Sequence, residues 1–138
     1  MLSQQVESYA DVKREYLTPF RNAEWFYSAN DGFIVWRMGT GNNIELLHIK
    51  AWEQRKGMGR RLFYHMLDSL EKSVEMAPYH SVYGFTRWSN GRAIDFYQAM
   101  GFDITYVPGI YKDGECNVFH CKFEHLLRRR NEWLGEHK

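Results

Sequence analysis

The sequence has little cysteine, little excess charge and no long apolar run, and each shortage excludes a class of protein. Cys116 and Cys121 are an odd number of positions apart in a predicted strand, so their side chains point to opposite faces. They indicate neither a disulfide framework nor a metal site. The 18 lysines and arginines against 17 aspartates and glutamates leave a formal charge of +1. No overall field therefore attracts nucleic acid or a membrane surface.

The beginning of the chain and its hydropathy predict a soluble protein of the cytoplasm. Residues 1–5 lack the basic and apolar regions of a signal peptide, and no uncharged apolar run reaches membrane-spanning length. With 138 residues, 44% of them hydrophobic, the chain suffices for one compact core and is too short for two ordinary domains. We therefore expect a single domain over residues 1–138 with no membrane partner.

Periodic segments separated by short turns predict an α/β fold. Apolar residues at helical spacing predict helices over residues 4–17, about 57–74, 89–100 and 124–134, the last of them basic. Aromatic and β-branched stretches predict strands over residues 24–29, 33–38, 44–51, 81–86, 103–107 and 116–123. The turn Asn30-Asp31-Gly32 predicts a hairpin between the first two strands.

A turn with two glycines lies where the third strand meets the second helix. It contains Gln54, Arg55, Lys56, Gly57, Met58, Gly59, Arg60 and Arg61. The glycines allow a ligand to approach bare main chain, and the first-turn N–H groups of a helix have no intrahelical partner. The helix dipole and the basic side chains favour an anion such as a pyrophosphate. Neither the Walker loop nor the dinucleotide fingerprint matches, and a helix start with solvated basic residues is the alternative.

A second motif, from Asn90 to Phe102, follows the fourth predicted strand. Gln-x-x-Gly-x-Gly, followed by Asn-x-x-Ala-x-x-Phe-Tyr-x-x-x-Gly-Phe, resembles the GNAT superfamily of N-acetyltransferases, and the match spans residues 47–102. The resemblance implies the GNAT fold, a mixed and mostly antiparallel sheet of about six strands flanked by helices. Members usually begin with a strand before the first helix, and we expect the sheet of this chain to lack that strand. The strand at 24–29 would then have an unpaired edge, which leads us to predict a homodimer.

The resemblance also implies acetyl-coenzyme A as the cofactor and a set of residues that hold it. Main-chain groups of β-strand residues Leu47, Ile49 and Ala51 would bond to pantetheine. The pyrophosphate would accept N–H groups of the glycine turn, at Arg55, Gly57, Gly59 and Arg60, with Gln54, Lys56 and Met58 beside them. Asn90 would hold the pantetheine arm, and Phe96 would pack beside it.

Two side chains are candidates for proton transfer. Tyr97 stands where many GNAT members keep the tyrosine that protonates the departing thiolate; a core aromatic residue is the alternative. An amine must lose a proton before it attacks a thioester, and Glu45 is the candidate base. Glu45 shares a strand face with Leu47 and Ile49 by the two-residue period, whereas His48 faces the other way. An ordinary exposed glutamate and deprotonation through water stay open.

These features predict an enzyme that moves an acetyl group from acetyl-coenzyme A to a primary amine by direct attack in a ternary complex. The acceptor would be a small molecule, a peptide or a protein. Its pocket would be built from the first helix, residues 17–23 and the loop at 106–115. Five aromatic residues could line this pocket or belong to the core instead: Trp25, Trp36, Trp52, Trp88 and Tyr111.

A protein that binds coenzyme A without turnover is one alternative. Another is acetylation of a macromolecule, either a protein N-terminus or an aminoacyl-tRNA, which the run Arg128-Arg129-Arg130 would favour. A solvated helix face explains such a run more simply, so nucleic acid is not expected as a partner.

Overall fold

Six strands form one sheet in the computed structural model, which describes residues 6–20, 22–53, 56–73, 79–87, 90–107 and 116–136. In chain order they are β1 (Glu24–Ser28), β2 (Gly32–Met38), β3 (Asn43–Ala51), β4 (Ser81–Arg87), β5 (Asp103–Tyr106) and β6 (Cys116–Lys122). Their order across the sheet is β1-β2-β3-β4-β6-β5.

The pairing of the strands confirms a mixed, mostly antiparallel sheet. β1 pairs antiparallel with β2, and β6 pairs antiparallel with both β4 and β5, whereas β3 runs parallel to β4. β1 lies at one edge, and no strand precedes it in the described part of residues 6–23. β1 is the strand whose edge we expect to be unpaired if the first family strand is missing. The homodimer inferred from that edge stays a prediction.

Four helices accompany the sheet in the described ranges: α1 (Tyr9–Val12, continued by a π-helical turn over Lys13–Leu17), α2 (Met58–Ser73), α3 (Gly91–Ala99) and α4 (Phe123–Glu136). The prediction that the first helix begins at residue 4 is wrong, because Ser8 Oγ accepts the Asp11 N–H at 3.2 Å and caps a helix that starts at Tyr9. The other predicted bounds agree within a few residues where they are described.

The chain divides into two compact units. The first unit comprises Met1–Gly39 and Leu46–Pro78, and its core includes Val12, Phe33, Val35 and Trp52. Within it, α2 packs against β1 and β2. The second unit comprises Thr40–Glu45 and Tyr79–Lys138. There α3 packs on β5, and α4 packs on β4 and β6. Among the described helices, none is both long and apolar enough to cross a membrane.

Candidate functional site

The N-terminus of α2, in the first unit, has the backbone geometry of an anion site. Gly57 has a φ of +75°, and its carbonyl accepts the first intrahelical bond, from the Arg61 N–H, at 3.0 Å. The N–H groups of Met58 and Gly59 come before that bond and lie at the positive end of the helix dipole. Lys56 is exposed beside them. The described part of the turn thus offers main-chain donors to an anion, and its role as the pyrophosphate site stays a prediction; Gln54 and Arg55 lie outside the described residues.

Asp31, in the β1–β2 hairpin, anchors both ends of the glycine turn. Its carbonyl accepts the Trp52 N–H at 2.9 Å, and its carboxylate accepts Arg61 Nη2 at 2.8 Å and Nε at 3.2 Å. The hydrogen bond to Asp31 raises the pKa of Arg61. Asp31 therefore offsets part of the charge that Arg61 brings to the turn, and the expected contribution of Arg61 to the field on an anion stays a prediction.

Two tryptophans that the sequence offered as wall residues of an acceptor pocket are core residues. Trp52 is 2% exposed, and its indole N–H is shared between the carbonyls of Ser28 and Ala29 at 3.1 Å each. Trp36 is 4% exposed. Trp25 is partly buried and lies 4.7 Å from the ring of Tyr9. Two further candidates lie outside the described residues: Trp88, and Tyr111 in the undescribed part of the acceptor loop, residues 108–115.

The later part of β3 carries the main-chain groups predicted to bind pantetheine. β3 pairs with β4 up to the pair Glu45–Tyr83, and β3 then continues to Ala51. The predicted residues Leu47, Ile49 and Ala51 lie in this continuation and are partly buried. Their main-chain roles stay a prediction.

The ring of His48 lies beside two aromatic residues of the first unit. Leu47 packs against the core of the first unit, to which Tyr16 also belongs. The ring of His48 lies 5.1 Å from Tyr16 and 5.7 Å from Phe20. Both of these β3 neighbours therefore lie near the core of the first unit.

Burial lowers the pKa of His48 below its ordinary value, which predicts a pH-dependent stability. The folded state then binds this proton less readily than the unfolded state. The contribution to the free energy of unfolding is fully present above the ordinary pKa of 6.5 and is lost as pH falls through the lowered value. His48→Phe keeps an aromatic ring and removes the titration.

Urea unfolding of wild type and His48→Phe, at about pH 7.5 and about pH 5.5, measures this effect. We expect the variant to lose less unfolding free energy over the interval than wild type does. His80→Phe, at an exposed histidine, is the matched control for general acid effects. Equal losses in wild type and His48→Phe would contradict the prediction.

Asn90 and Phe96 lie on α3, in the second unit. The side-chain oxygen of Asn90 accepts the Ala93 N–H at 3.2 Å and caps the helix. An asparagine amide also carries two N–H donors, which suit the carbonyl oxygens of a pantetheine arm. Phe96 is partly buried, and its ring lies 5.4 Å from that of Tyr97.

Tyr97 is held by an aromatic cluster. Its ring stacks on Phe119 of β6, with 3.7 Å between centroids and 13° between planes, and meets Phe102 edge-on at 5.6 Å. The residue is 7% exposed. The Tyr97 ring is therefore part of the core and has a fixed direction, which agrees with the alternative of a core aromatic residue. An acid role of its hydroxyl stays a prediction.

Glu45 and Tyr97 belong to opposite faces of the sheet in the second unit. Glu45 pairs with Tyr83, and Tyr83 pairs with His120, so these three side chains share one face. Phe119, the next residue along β6, points to the other face, where Tyr97 stacks on it. Burial agrees, because Phe119 is buried and His120 is exposed. The structure therefore does not bring the two predicted proton-transfer residues together on one side.

Tyr83 and His120 lie in the same cross-strand row as Glu45 and were not predicted from the sequence. The ring of Tyr83 meets Phe85 edge-on at 6.0 Å, and His120 Nε2 lies 3.4 Å from Thr105 Oγ1. The two-residue period shows which residues of one strand share a face. It does not give the register between strands, so no local signal joins these residues to Glu45.

Solved structures of acetyltransferases share this fold. Ard1 from Thermoplasma volcanium is 26% identical, with a TM-score of 0.60 over 82% of this chain and 76% of that chain. The ribosomal-protein-S18-alanine N-acetyltransferase from Escherichia coli is 23% identical, with a TM-score of 0.57 over 75% of this chain and 71% of that one. Arabidopsis thaliana Naa50, in complex with the bisubstrate analogue CoA-Ac-MVNAL, is 23% identical, with a TM-score of 0.52, covering 66% and 64%.

Sequence comparison gives the family directly. No curated protein matches the chain. The family model of the acetyltransferase (GNAT) domain matches residues 5–118, which is most of the sequence and includes both motifs. The chain therefore belongs to the GNAT family of acetyltransferases.

Proposed function

We propose that this chain transfers the acetyl group of acetyl-coenzyme A to a primary amine by direct attack in a ternary complex. Acetyl-coenzyme A, the cofactor of the GNAT family, supplies an activated acetyl thioester. The observation that most directly supports the proposal is the match of the acetyltransferase (GNAT) family model to residues 5–118, which include both motifs. The base acts on the incoming amine and the acid acts on the departing sulfur, and both atoms bond to the same acetyl carbon. Because Glu45 lies on the sheet face opposite to the one on which Tyr97 packs, Glu45 acts on the amine through water.

The proposed binding roles follow the two motifs. The N–H groups of Arg55, Gly57, Gly59 and Arg60 hold the pyrophosphate, in the turn that also contains Gln54, Lys56 and Met58. Pantetheine is held by the amide of Asn90 and by main-chain groups of Leu47, Ile49 and Ala51. Phe96 packs beside it. Glu45 accepts the proton of the amine, and the Tyr97 hydroxyl gives a proton or a hydrogen bond to the departing sulfur.

The burial of Cys121 argues against acetylation of this cysteine as an intermediate. Cys121 is buried, and desolvation raises its pKa, which disfavours the thiolate that a covalent route requires. The same side chain lies on the face of Phe119, two positions away along β6. Direct attack needs no protein nucleophile.

Glu45→Gln tests the proposed base. We expect a lower kcat and an altered acidic limb of the pH–rate profile, because glutamine cannot accept the amine proton. The affinity for acetyl-coenzyme A, measured by calorimetry, is expected to stay near that of wild type. Glu24→Gln, at an exposed glutamate on β1, is the matched control. A wild-type profile for Glu45→Gln would move the base to another group or to water.

The acceptor class is tested by release of coenzyme A thiol in the presence of a panel of amines. The named substrates of fold neighbours include an alanine of a ribosomal protein, and Naa50 was solved with a peptide-bearing analogue. We therefore propose a peptide or protein amine or a small-molecule amine as the acceptor, and the panel contains both kinds. Binding of acetyl-coenzyme A with no thiol release for any amine would favour a binding protein without turnover.

A further inference from the structure

The C-terminus of α3 is closed by a Schellman motif that includes Tyr97. The Phe102 N–H donates to the Tyr97 carbonyl at 2.9 Å, and the Gly101 N–H donates to the Gln98 carbonyl at 3.0 Å. Gly101 has a φ of +101°, and the Phe102 ring contacts the Tyr97 ring, as is usual for this motif. The motif satisfies the carbonyls of Tyr97 and Gln98. It does not use the carbonyl of Ala99, which also faces the helix end.

Arg129 of α4 supplies the donor for that carbonyl. Its Nη2 donates to the Ala99 carbonyl at 3.0 Å. A Cβ added at Gly101 would lie 2.7 Å from Arg129 Cδ and 2.8 Å from Nε, so the arginine occupies the space that a side chain would take. A cation at a helix C-terminus is also favoured by the dipole. Arg129 therefore completes the cap and covers its glycine.

The neighbouring arginines have other partners, which divides the basic run. Arg128 lies 3.7 Å from Glu124 one turn earlier. Arg130 is only 5% exposed and donates to the Asn131 side chain. The run is therefore not one free cationic patch. The arginine run therefore no longer favours a macromolecular acceptor such as an aminoacyl-tRNA.

We propose that Arg129 is a positioning residue for Tyr97. The proposal rests on the proposed function, in which the Tyr97 hydroxyl assists the departing sulfur. One continuous segment, β6 followed by α4, holds α3 at two points: Phe119 stacks on the Tyr97 ring, and Arg129 fixes the helix end where the Tyr97 carbonyl is bonded. A small displacement of a catalytic group costs rate more than affinity, because only the transition state needs the exact alignment.

Arg129→Met removes the donors and keeps most of the aliphatic chain. We expect kcat to fall about tenfold, with the KM for acetyl-coenzyme A within about twofold of wild type. Arg129→Lys retains a cation that reaches the carbonyl and is expected to recover most of the loss. Arg128→Met, at the exposed adjacent arginine, is the matched control and is expected to behave as wild type. Wild-type kcat in Arg129→Met would overturn the proposal.

A double variant separates positioning from general destabilisation. In a Tyr97→Phe background, Arg129→Met is expected to change kcat less than about twofold, because the hydroxyl that it positions is already absent. A further tenfold loss would mean that Arg129 acts independently of Tyr97, and would overturn the proposal.

Amide hydrogen exchange tests the cap without any turnover. We expect the Phe102 N–H to exchange at least about fivefold faster in Arg129→Met than in wild type or Arg128→Met, since the helix end opens more often. Unchanged exchange would overturn the proposal even if no amine is acetylated. Faster exchange in a variant of a protein that shows no acetyl transfer would confirm that Arg129 stabilises the helix end. It would contradict the proposed function, and with it the role of Arg129 in catalysis.

Discussion

Replacing Tyr97 by phenylalanine is expected to lower kcat about a hundredfold while changing the affinity for acetyl-coenzyme A by less than about twofold. The phenol hydroxyl would act only as charge develops on the sulfur, so its loss affects the transition state and not the bound ground state. Phenylalanine keeps the ring that stacks on Phe119 and meets Phe102, so the aromatic cluster is retained. General acid catalysis typically contributes 10² to 10⁴-fold, and a thiolate, already a fair leaving group, places the effect at about the lower end.

The measurement is steady-state kinetics on Tyr97→Phe, with acetyl-coenzyme A binding measured separately by calorimetry. Tyr64→Phe is the matched control, because Tyr64 is also a buried tyrosine but lies on a different helix, α2. A kcat within about threefold of wild type would identify Tyr97 as a packing residue only. A parallel loss of affinity would show that the hydroxyl holds the cofactor instead of assisting the leaving group.

Replacing Gly59 by valine is expected to weaken binding of acetyl-coenzyme A at least about tenfold, or about 1.4 kcal/mol. Gly59 lies in the first turn of α2, where the proposed pyrophosphate approaches the main chain. A branched side chain there would hold the phosphates away from the N–H groups. Gly59 is the sharper choice, because Gly57 has a positive φ, and a substitution there would also strain the backbone.

Calorimetry with coenzyme A and with acetyl-coenzyme A measures this effect. Gly135→Val is the matched control, since a Cβ at that helical glycine meets nothing within 4 Å and Gly135 lies at the far end of α4. Both variants lose a helical glycine and gain the same branched side chain. Unchanged affinity in a folded Gly59→Val protein would contradict the assignment of this turn as the pyrophosphate site.

Periodicity made most of the fold predictable. α2 shows this most clearly, because Leu62, Met66 and Leu70, spaced four residues apart, are all buried. β2 has five consecutive buried residues, Gly32 to Trp36, so both of its faces are covered. The continuous apolar run from Phe33 to Trp36 identifies the strand. The π-helical turn after α1 has no comparable signal, since a change of one residue in hydrogen-bond spacing leaves the apolar pattern almost unchanged.

The candidate site was less predictable, because its geometry depends on contacts between distant residues. The glycine turn and the α3 motif were visible as local patterns. Two of these contacts join segments that are 30 positions apart and that no short motif connects. One is the ion pair of Arg61 with Asp31, and the other is the hydrogen bond of Arg129 to Ala99. The opposite faces of Glu45 and Tyr97 follow from strand register, which is set by packing across the sheet.

The most direct test of the central claim uses acetyl-coenzyme A with an isotopic label in the acetyl group, incubated with wild-type protein and the amine panel. The account predicts that the label appears in an amine product in an amount equal to the coenzyme A thiol released, with none retained on the protein, and that Tyr97→Phe slows both products alike. Label bound covalently to the protein would contradict direct transfer. Tight binding of acetyl-coenzyme A without labelled amine would contradict the enzyme itself.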